Sequence, residues 1–244
     1  MPSPRTKATP KIDCAPISCA SCGIFQLCHS VGGDTDLSVL DTLVKNRKTI
    51  KRGEPLYRTG DPFRVIYAIR SGAVKTSILT DDGKVQITGF HVAGEVLGLD
   101  AITTKRHNSE ATAMEATSIC EVPFERFKEL SEEIPGLQYK MLEIMSNEIL
   151  HNHELMVLLG KKNAEERLAT YLLNISDRLE KRNFPATQLD MNMSRGDISN
   201  YLGMAEETVC RIFGRFQEEG LVTTQRRKIV LNDLARLKAK TRRN

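Results

Sequence analysis

A run of apolar residues at helical spacing between residues 135 and 161 constrains the fold more than any other feature of this chain. Its members recur every three or four residues in strict alternation: Leu142, Met145, Ile149, Asn152, Met156 and Leu159. This spacing is typical of the seam of a two-stranded coiled coil, where a single asparagine fixes register and pairing at some cost in stability. We therefore predict one long helix over residues 135–161 that pairs with the same helix of a second chain.

A second apolar stripe runs beside this seam and would face the preceding part of the same chain. It consists of Leu137, Met141, Ile144 and Leu155. Together the two stripes are wide enough for a different interpretation, a helix buried between two domains without any partner chain. Both interpretations separate a region before the helix from a region after it.

The region before the helix alternates apolar and polar residues with a period of two, and glycines interrupt it. Runs at 65–69, 74–79 and 85–90 read as short strands, and Asp82-Gly83 between the last two predicts a hairpin turn. Short strands at nearly regular spacing predict an antiparallel barrel or roll. Residues 123–131 then predict a short amphipathic helix that leads into the long one.

The region after the helix has the spacing of a helix-turn-helix motif. A helix is predicted over residues 164–180, a second helix begins after Ser194 with Asp197 as its capping-box partner, and Gly203 makes a left-handed turn. The following helix, over residues 206–218, would enter the DNA major groove by its N-terminal end. Residues 161–244 hold 17 Lys/Arg against 11 Asp/Glu, a net charge of +6, which suits a polyanionic partner.

Three outward residues near the start of that helix are predicted to read bases. Arg211 can grip guanine O6 and N7, Glu207 can accept from cytosine N4, and Cys210 either contacts a thymine methyl or is an ordinary small helix residue. Arg195 and Lys228 complete the predicted DNA-binding set, Lys228 within a basic hairpin suited to phosphate contact. Because Ala205 stands at the capping position, we expect this helix to begin about 1 kcal/mol less stably than a capped one.

Four cysteines lie within fifteen residues near the N-terminus: Cys14, Cys19, Cys22 and Cys28. The pattern C-x2-C-x5-C supports a structural zinc site, a redox dithiol or an iron–sulfur cluster, and the irregular spacing favours the cluster. Three thiolates leave a four-ligand centre one short. The fourth would come from Cys14 or from the distant Cys120.

Composition excludes several classes of protein. At 244 residues the chain is long enough for two domains with real cores, and 27% of its residues are charged. No apolar run could span a membrane, so we expect a cytoplasmic protein in a reducing compartment. Without a nucleotide-cofactor motif or an acid–base constellation, an enzyme is not expected. A constitutive DNA-binding protein with structural zinc remains an alternative to a redox-sensitive one.

The order of these parts resembles the cAMP receptor protein superfamily of transcription regulators. Within it, the cysteine pattern, KKNAEERLA at 161–169, RGDISNYLG, and EETVCRIFGRFQ resemble the FNR (fumarate and nitrate reduction regulator) family. The resemblance implies an α+β fold. Its expected parts are a disordered tail (1–13), a cluster-binding segment (14–30), a β-roll (31–134), a dimerisation helix (135–161) and a winged helix-turn-helix domain (162–244).

The resemblance also implies a function. Cys19, Cys22, Cys28 and Cys120 would ligate a 4Fe-4S cluster, Cys14 would not, and oxygen would weaken a homodimer bound to a palindrome with half-sites like TTGAT. Residues 80–84 would contact RNA polymerase. In cAMP-binding members a Gly-Glu and an Arg-Ser pair hold the nucleotide. Here Gly98-Leu99 and Asn108-Ser109 stand at those places, so no cAMP binding is expected.

Overall fold

The computed structural model describes residues 46–133, 135–182, 184–190, 192–225 and 228–242, and its fold is α+β as predicted. The predicted tail (1–13) and cysteine segment (14–30) lie outside the described residues. So do Cys14, Cys19, Cys22 and Cys28.

Eight strands form the predicted antiparallel roll as two four-stranded sheets. One sheet has the order β1-β8-β3-β6 and the other β2-β7-β4-β5. Their bounds are β1 (Asn46–Ile50), β2 (Pro55–Tyr57), β3 (Val65–Ser71), β4 (Ala73–Leu79), β5 (Val85–Val92), β6 (Val96–Leu97), β7 (Glu110–Ala113) and β8 (Thr117–Pro123). The β4–β5 hairpin is confirmed, and Gly83 in its turn has a φ of +78°, which a residue without a Cβ adopts at little cost.

Two helices follow the roll. Helix α1 (Phe124–Glu133) begins one residue later than predicted, because Pro123 still pairs with Val65 as the last residue of β8. Helix α2 (Pro135–Lys161) has the predicted bounds. The long helix is therefore confirmed as one uninterrupted element of 27 residues.

The second stripe of α2 packs within the chain, as predicted. Leu137 and Met141 are buried and Ile144 is partly buried, in a cluster formed with β3, β8 and α1. Leu155 packs against a different cluster, which the roll shares with the C-terminal region. Helix α2 thus belongs to both halves of the molecule, its first turns to the roll and its last turns to the region that follows.

The C-terminal region contains four helices and a three-stranded sheet. The helices are α3 (Ala164–Glu180), α4 (Arg195–Leu202), α5 (Glu206–Glu218) and α6 (Leu234–Ala239), and the strands are β9 (Gln188–Asp190), β10 (Val222–Gln225) and β11 (Lys228–Leu231). The predicted hairpin is β10–β11. Strand β9, which pairs with β11, was missed because three residues are too few to show an alternation.

One core joins the roll to the C-terminal region. Ile87 and Phe90 of β5 share a cluster with Leu168 and Leu172 of α3 and with Ile198 of α4. Three sets of polar contacts run along the same interface. Arg178 forms a salt bridge with Glu95, and Lys75 forms one with Asp197. The side-chain amide of Asn200 hydrogen-bonds to the backbone of residues 85 and 87.

Candidate nucleic-acid interface, dimer face and pocket

The helix-turn-helix geometry is built by local contacts that the sequence predicted. Ser194 Oγ accepts from the Asp197 amide at 2.9 Å and Asp197 Oδ2 accepts from the Ser194 amide at 3.0 Å, so the capping box of α4 is confirmed. Gly203 ends α4 in the left-handed region with φ 60° and ψ 46°. Apolar residues of the two helices are buried: Ile198, Leu202, Val209, Ile212 and Phe216.

Helix α5 presents the predicted base-reading residues to solvent. Glu207, Cys210 and Arg211 are exposed, and the helix begins at Ala205 without a side-chain cap, as predicted. The Glu206 side chain lies close to Gly196 at the start of α4. One of its carboxylate oxygens is 3.2 Å from the position that a Cβ on Gly196 would occupy. Its carboxylate therefore faces the start of α4, where the helix dipole favours negative charge.

Two cations flank the exposed face of α5. The Arg195 guanidinium lies 3.4 Å from the centre of the Phe213 ring, so its packing holds it against α5. Lys228 opens β11 and pairs with Gln225 across the β10–β11 hairpin. The arrangement suits base contact by α5 between two phosphate-binding positions.

The outer face of α2 is apolar and open to solvent. Leu142, Met145, Ile149 and Met156 are 60%, 38%, 55% and 61% exposed, and Asn152 is exposed among them. Of the eleven exposed large hydrophobic side chains in the described part of the chain, ten lie on α2 or on the β4–β5 hairpin. Tyr139, Leu150 and Val157 are exposed on α2 as well, outside the seam spacing.

Leu159 departs from the predicted seam. It is partly buried and packs against the core shared by the roll and the C-terminal region. The last turn of α2 passes close to Gly203 of the helix-turn-helix motif. A Cβ added to Gly203 would lie 4.0 Å from Leu159 Cδ2. The exposed part of the stripe therefore ends at Met156.

Cys120 lies on β8 with its side chain 4% exposed. It shares its cluster with Ile66 and Ala68 of β3 and with Leu137 and Met141 of α2. Cys120 thus shares one buried cluster with the inner face of α2, while the outer face of that helix carries the exposed stripe.

A pocket of about 460 Å³ opens between the roll and α2, and it contains both residue pairs that correspond to the nucleotide-holding pairs. Gly98, Leu99, Asn108 and Ser109 line it together with Ile149 and Asn152 of α2. The residue matching made from the sequence therefore points to one real cavity.

One acid in this pocket is Asp100, whose carboxylate already accepts hydrogen bonds from neighbouring residues of the chain. Asp100 Oδ2 accepts from Ser109 Oγ at 2.9 Å and from the Asn108 amide at 3.2 Å, and Oδ1 lies 3.4 Å from His107 Nδ1. Glu148 of α2 is a second acid on the wall, and among the described residues that line the pocket none is a lysine or arginine. The described lining therefore carries two carboxylates and no Lys or Arg side chain that could pair with an anion.

Comparison with known proteins agrees with this geometry. A cyclic nucleotide-binding domain model matches residues 47–133 and a Crp-like helix-turn-helix domain model matches residues 166–240. The chain is 45% identical over 216 residues to the transcriptional activator protein anr of Pseudomonas aeruginosa, with 88% of each chain covered. It is 42% identical over 230 residues to the fumarate and nitrate reduction regulatory protein of Escherichia coli K12, covering 93% of this chain and 92% of that one.

The chain belongs to the CRP/FNR family of transcription regulators. Among solved structures, FixK2 from Bradyrhizobium japonicum aligns with a TM-score of 0.74 at 30% identity, covering 82% of this chain and 98% of that one. The predicted resemblance is thereby confirmed. As a CRP/FNR-family member with a helix-turn-helix domain, the chain is a DNA-binding regulator rather than an enzyme. No helix in the described part is long and apolar enough to cross a bilayer.

Proposed function

We propose that this CRP/FNR-family chain is an oxygen-responsive transcription activator of the cytoplasm. It would bind a TTGAT-type palindrome as a homodimer while a 4Fe-4S cluster is bound, and oxygen would weaken the dimer. The observation that carries the proposal is that Cys120 shares one buried apolar cluster with Leu137 and Met141 on the inner face of α2. A change of ligation at this thiol acts on the packing of the helix whose outer face would form the dimer.

Cys19, Cys22 and Cys28 would hold the cluster together with Cys120. Iron–sulfur clusters are bound by thiolates, and apolar surroundings limit the access of solvent to them. Cys120 meets this requirement, since its neighbours on β3, β8 and α2 are apolar. The cluster would make the protein sensitive to oxygen, because oxygen oxidises the iron and sulfide of the cluster.

The exposed stripe of α2 supports dimerisation. Soluble monomers rarely leave contiguous apolar faces open, and a helix with Leu142, Met145, Ile149 and Met156 exposed has the a/d spacing of a coiled coil. A parallel pair of α2 helices would bring two α5 helices to half-sites about one DNA turn apart. Glu207, Cys210 and Arg211 would read each half-site. Cys210 stands where the FNR pattern has serine, so its thymine contact would be more apolar.

Activation would involve the β4–β5 hairpin. Its turn, residues 80–84, is flanked by the exposed cross-strand pair Leu79 and Val85. An exposed apolar pair on a projecting hairpin suits a protein partner. We assign RNA polymerase as that partner because the relatives are activators.

Binding of cAMP is not part of the proposal. Asp100 already accepts the hydrogen bonds of Ser109 and Asn108, and Glu148 adds a second negative charge to the pocket. A cyclic phosphate would have to displace an internal carboxylate and approach another acid without a counter-charge. Calorimetry with cAMP is expected to show no binding, and a tight complex would refute this point.

The decisive experiment is the visible spectrum, with iron and sulfide assays, of protein purified without air and then exposed to air. We expect a brown protein whose visible band fades in air, in parallel with loss of dimer on sizing and loss of binding to the palindrome. Stoichiometric zinc, no sulfide and an air-indifferent dimer would instead identify a constitutive DNA-binding protein.

A matched pair of cysteine variants sharpens this experiment. Cys120→Ala should abolish the sulfide content and the anaerobic dimer, because one of four ligands is lost. Cys14→Ala should keep both, because Cys14 is not in the proposed ligand set. A colourless Cys14→Ala protein, or a Cys120→Ala protein with full sulfide, would contradict the ligand assignment.

A further inference from the structure

The segment KKNAEERLA, residues 161–169, joins α2 to α3 by a turn of fixed shape. Helix α2 ends at Lys161 and α3 begins at Ala164. Asn163 Oδ1 accepts from the Glu166 amide at 3.0 Å, and Glu166 Oε2 accepts from the Asn163 amide at 2.8 Å. Since Glu166 is buried, this capping box is protected from water and leaves the angle between the two helices little freedom.

Arg167 ties that turn to the helix-turn-helix motif. Its guanidinium donates to four carbonyls, from Nη2 to Leu159 O at 2.6 Å, from Nε to Lys162 O at 2.9 Å, and from Nη1 to Leu202 O at 3.0 Å and to Gly203 O at 3.5 Å. Leu159 and Leu202 lie in the last turns of α2 and α4, whose carbonyls lack partners within their own helices and carry partial negative charge. One planar cation thus holds the C-terminal ends of two helices together.

Glu165 makes a second connection, directly to the recognition helix. Its carboxylate binds Arg215 Nη1 of α5 at 2.6 Å and Lys240 Nζ, just after α6, at 3.1 Å. Lys240 in turn binds Glu219 at the end of α5 at 2.9 Å. The start of α3 is therefore linked by charge to α5, while Arg167 links it to α2 and α4.

We infer that Arg167 and Glu165 are positioning residues that set the spacing between the two half-sites that the dimer reads. This inference rests on the proposed function as a palindrome-binding homodimer. When α4 and α5 rotate relative to α2 in one protomer, the two-fold axis repeats the rotation in the other. Both recognition helices then move, and the distance between them changes. Neither residue needs to touch DNA for this effect.

The test measures the affinity of the unaltered protein and of each variant for three palindromes with the same half-sites. One palindrome has the parent spacer, the length that the unaltered protein prefers. The other two have spacers one base pair shorter and one base pair longer. All proteins are handled without air. Arg167→Lys keeps the charge, but a single ammonium cannot reproduce a planar fork across four carbonyls. We expect about tenfold weaker binding to the parent palindrome and a smaller preference for the parent spacer over the other two. Dimerisation and binding to a single half-site should be unchanged.

Arg236→Lys is the matched control, since Arg236 donates to the Glu219 carbonyl at 3.2 Å and this side-chain bond thus stays within the C-terminal region. It should keep the unaltered spacer preference. If Arg167→Lys does not fold, Glu165→Gln provides the same test with a smaller loss of preference. The inference is overturned if a folded variant keeps the full preference, or loses affinity equally for all three spacers. Failure of the unaltered protein to bind any palindrome would count against the proposed function itself.

Discussion

At the scale of single residues, the interface between roll and DNA-binding domain depends on one buried carboxylate. Glu95 binds Arg178 Nη2 at 2.6 Å and Arg182 Nη2 at 3.1 Å, and Arg178 Nη2 also donates to the Phe90 carbonyl. Burial alone would raise the pKa of Glu95. The charges of the two arginines and the hydrogen bonds from His91 and Arg178 outweigh it and hold the pKa well below its usual value.

This environment predicts how stability depends on pH. A carboxylate with a lowered pKa in the folded state stabilises that state above its unfolded pKa of about 4.3, and the contribution disappears as the pH falls further. Glu95→Gln should lower the free energy of unfolding at pH 7 by about 3–5 kcal/mol, because Arg178 would stay buried without its counter-charge. The variant should also lose less stability than the unaltered chain between about pH 5 and 3. Urea titrations across this range measure both effects.

Glu129→Gln is the control for this prediction. Glu129 pairs with Arg126 at 2.9 Å on α1, with both side chains largely exposed. An exposed pair is worth less than about 1 kcal/mol, so the loss should be small and the acid dependence unchanged. Equal losses for Glu95→Gln and Glu129→Gln would show that the buried pair has no special weight.

At the scale of elements, the proposed polymerase contact of the β4–β5 hairpin predicts that activation can be lost without loss of DNA binding. Leu79 is 62% exposed, so its removal costs little core packing. Leu79→Ser should reduce transcription by purified RNA polymerase about tenfold if the side chain is an anchor of the interface. Affinity for the palindrome should not change. In vitro transcription beside gel-shift titrations measures the two properties separately.

Leu234→Ser provides the comparison. Of the exposed large hydrophobic residues in the described part, Leu234 is the one that lies outside both α2 and the hairpin. It should leave transcription unchanged. A parallel fall of affinity and transcription in Leu79→Ser would mean that the hairpin supports the fold or the dimer instead of the polymerase contact.

At the scale of the whole molecule, the proposed homodimer predicts that the outer face of α2 determines the state of assembly. Ile149→Glu would place two carboxylates opposite each other in the seam, where neither could be hydrated as in the monomer. We expect the dissociation constant of the anaerobic dimer to rise by about a hundredfold or more, equivalent to ~3 kcal/mol. Sedimentation without air measures this change, and binding to the palindrome should fall to that of a single half-site.

Asn147→Glu adds the same charge on another side of α2, where Asn147 lines the cavity next to β5 and α3. It should dimerise like the unaltered chain. If Ile149→Glu still dimerised, the exposed stripe would not be the seam, and the two halves of the palindrome would have to be joined in another way.

The sequence by itself determined the elements. Periodicity located α2, α3 and α5, the Ser194 capping box and Gly203 located the turn of the helix-turn-helix, and Asp82-Gly83 located the hairpin. Each of these depends on residues a few positions apart, so local rules suffice. The exposure of Glu207, Cys210 and Arg211 followed for the same reason, because the face of a helix is set by spacing alone.

Only the tertiary structure decided which groups meet across the chain. Leu159 turned inward against the C-terminal core, and Asp100 filled the acceptor position in the nucleotide-like pocket. Glu95 and Arg178, 83 residues apart, came to share one buried contact, and Arg167 reached Leu202, 35 residues away. No local pattern encodes such pairs, because their energy depends on burial and distance that exist only after the two domains have packed.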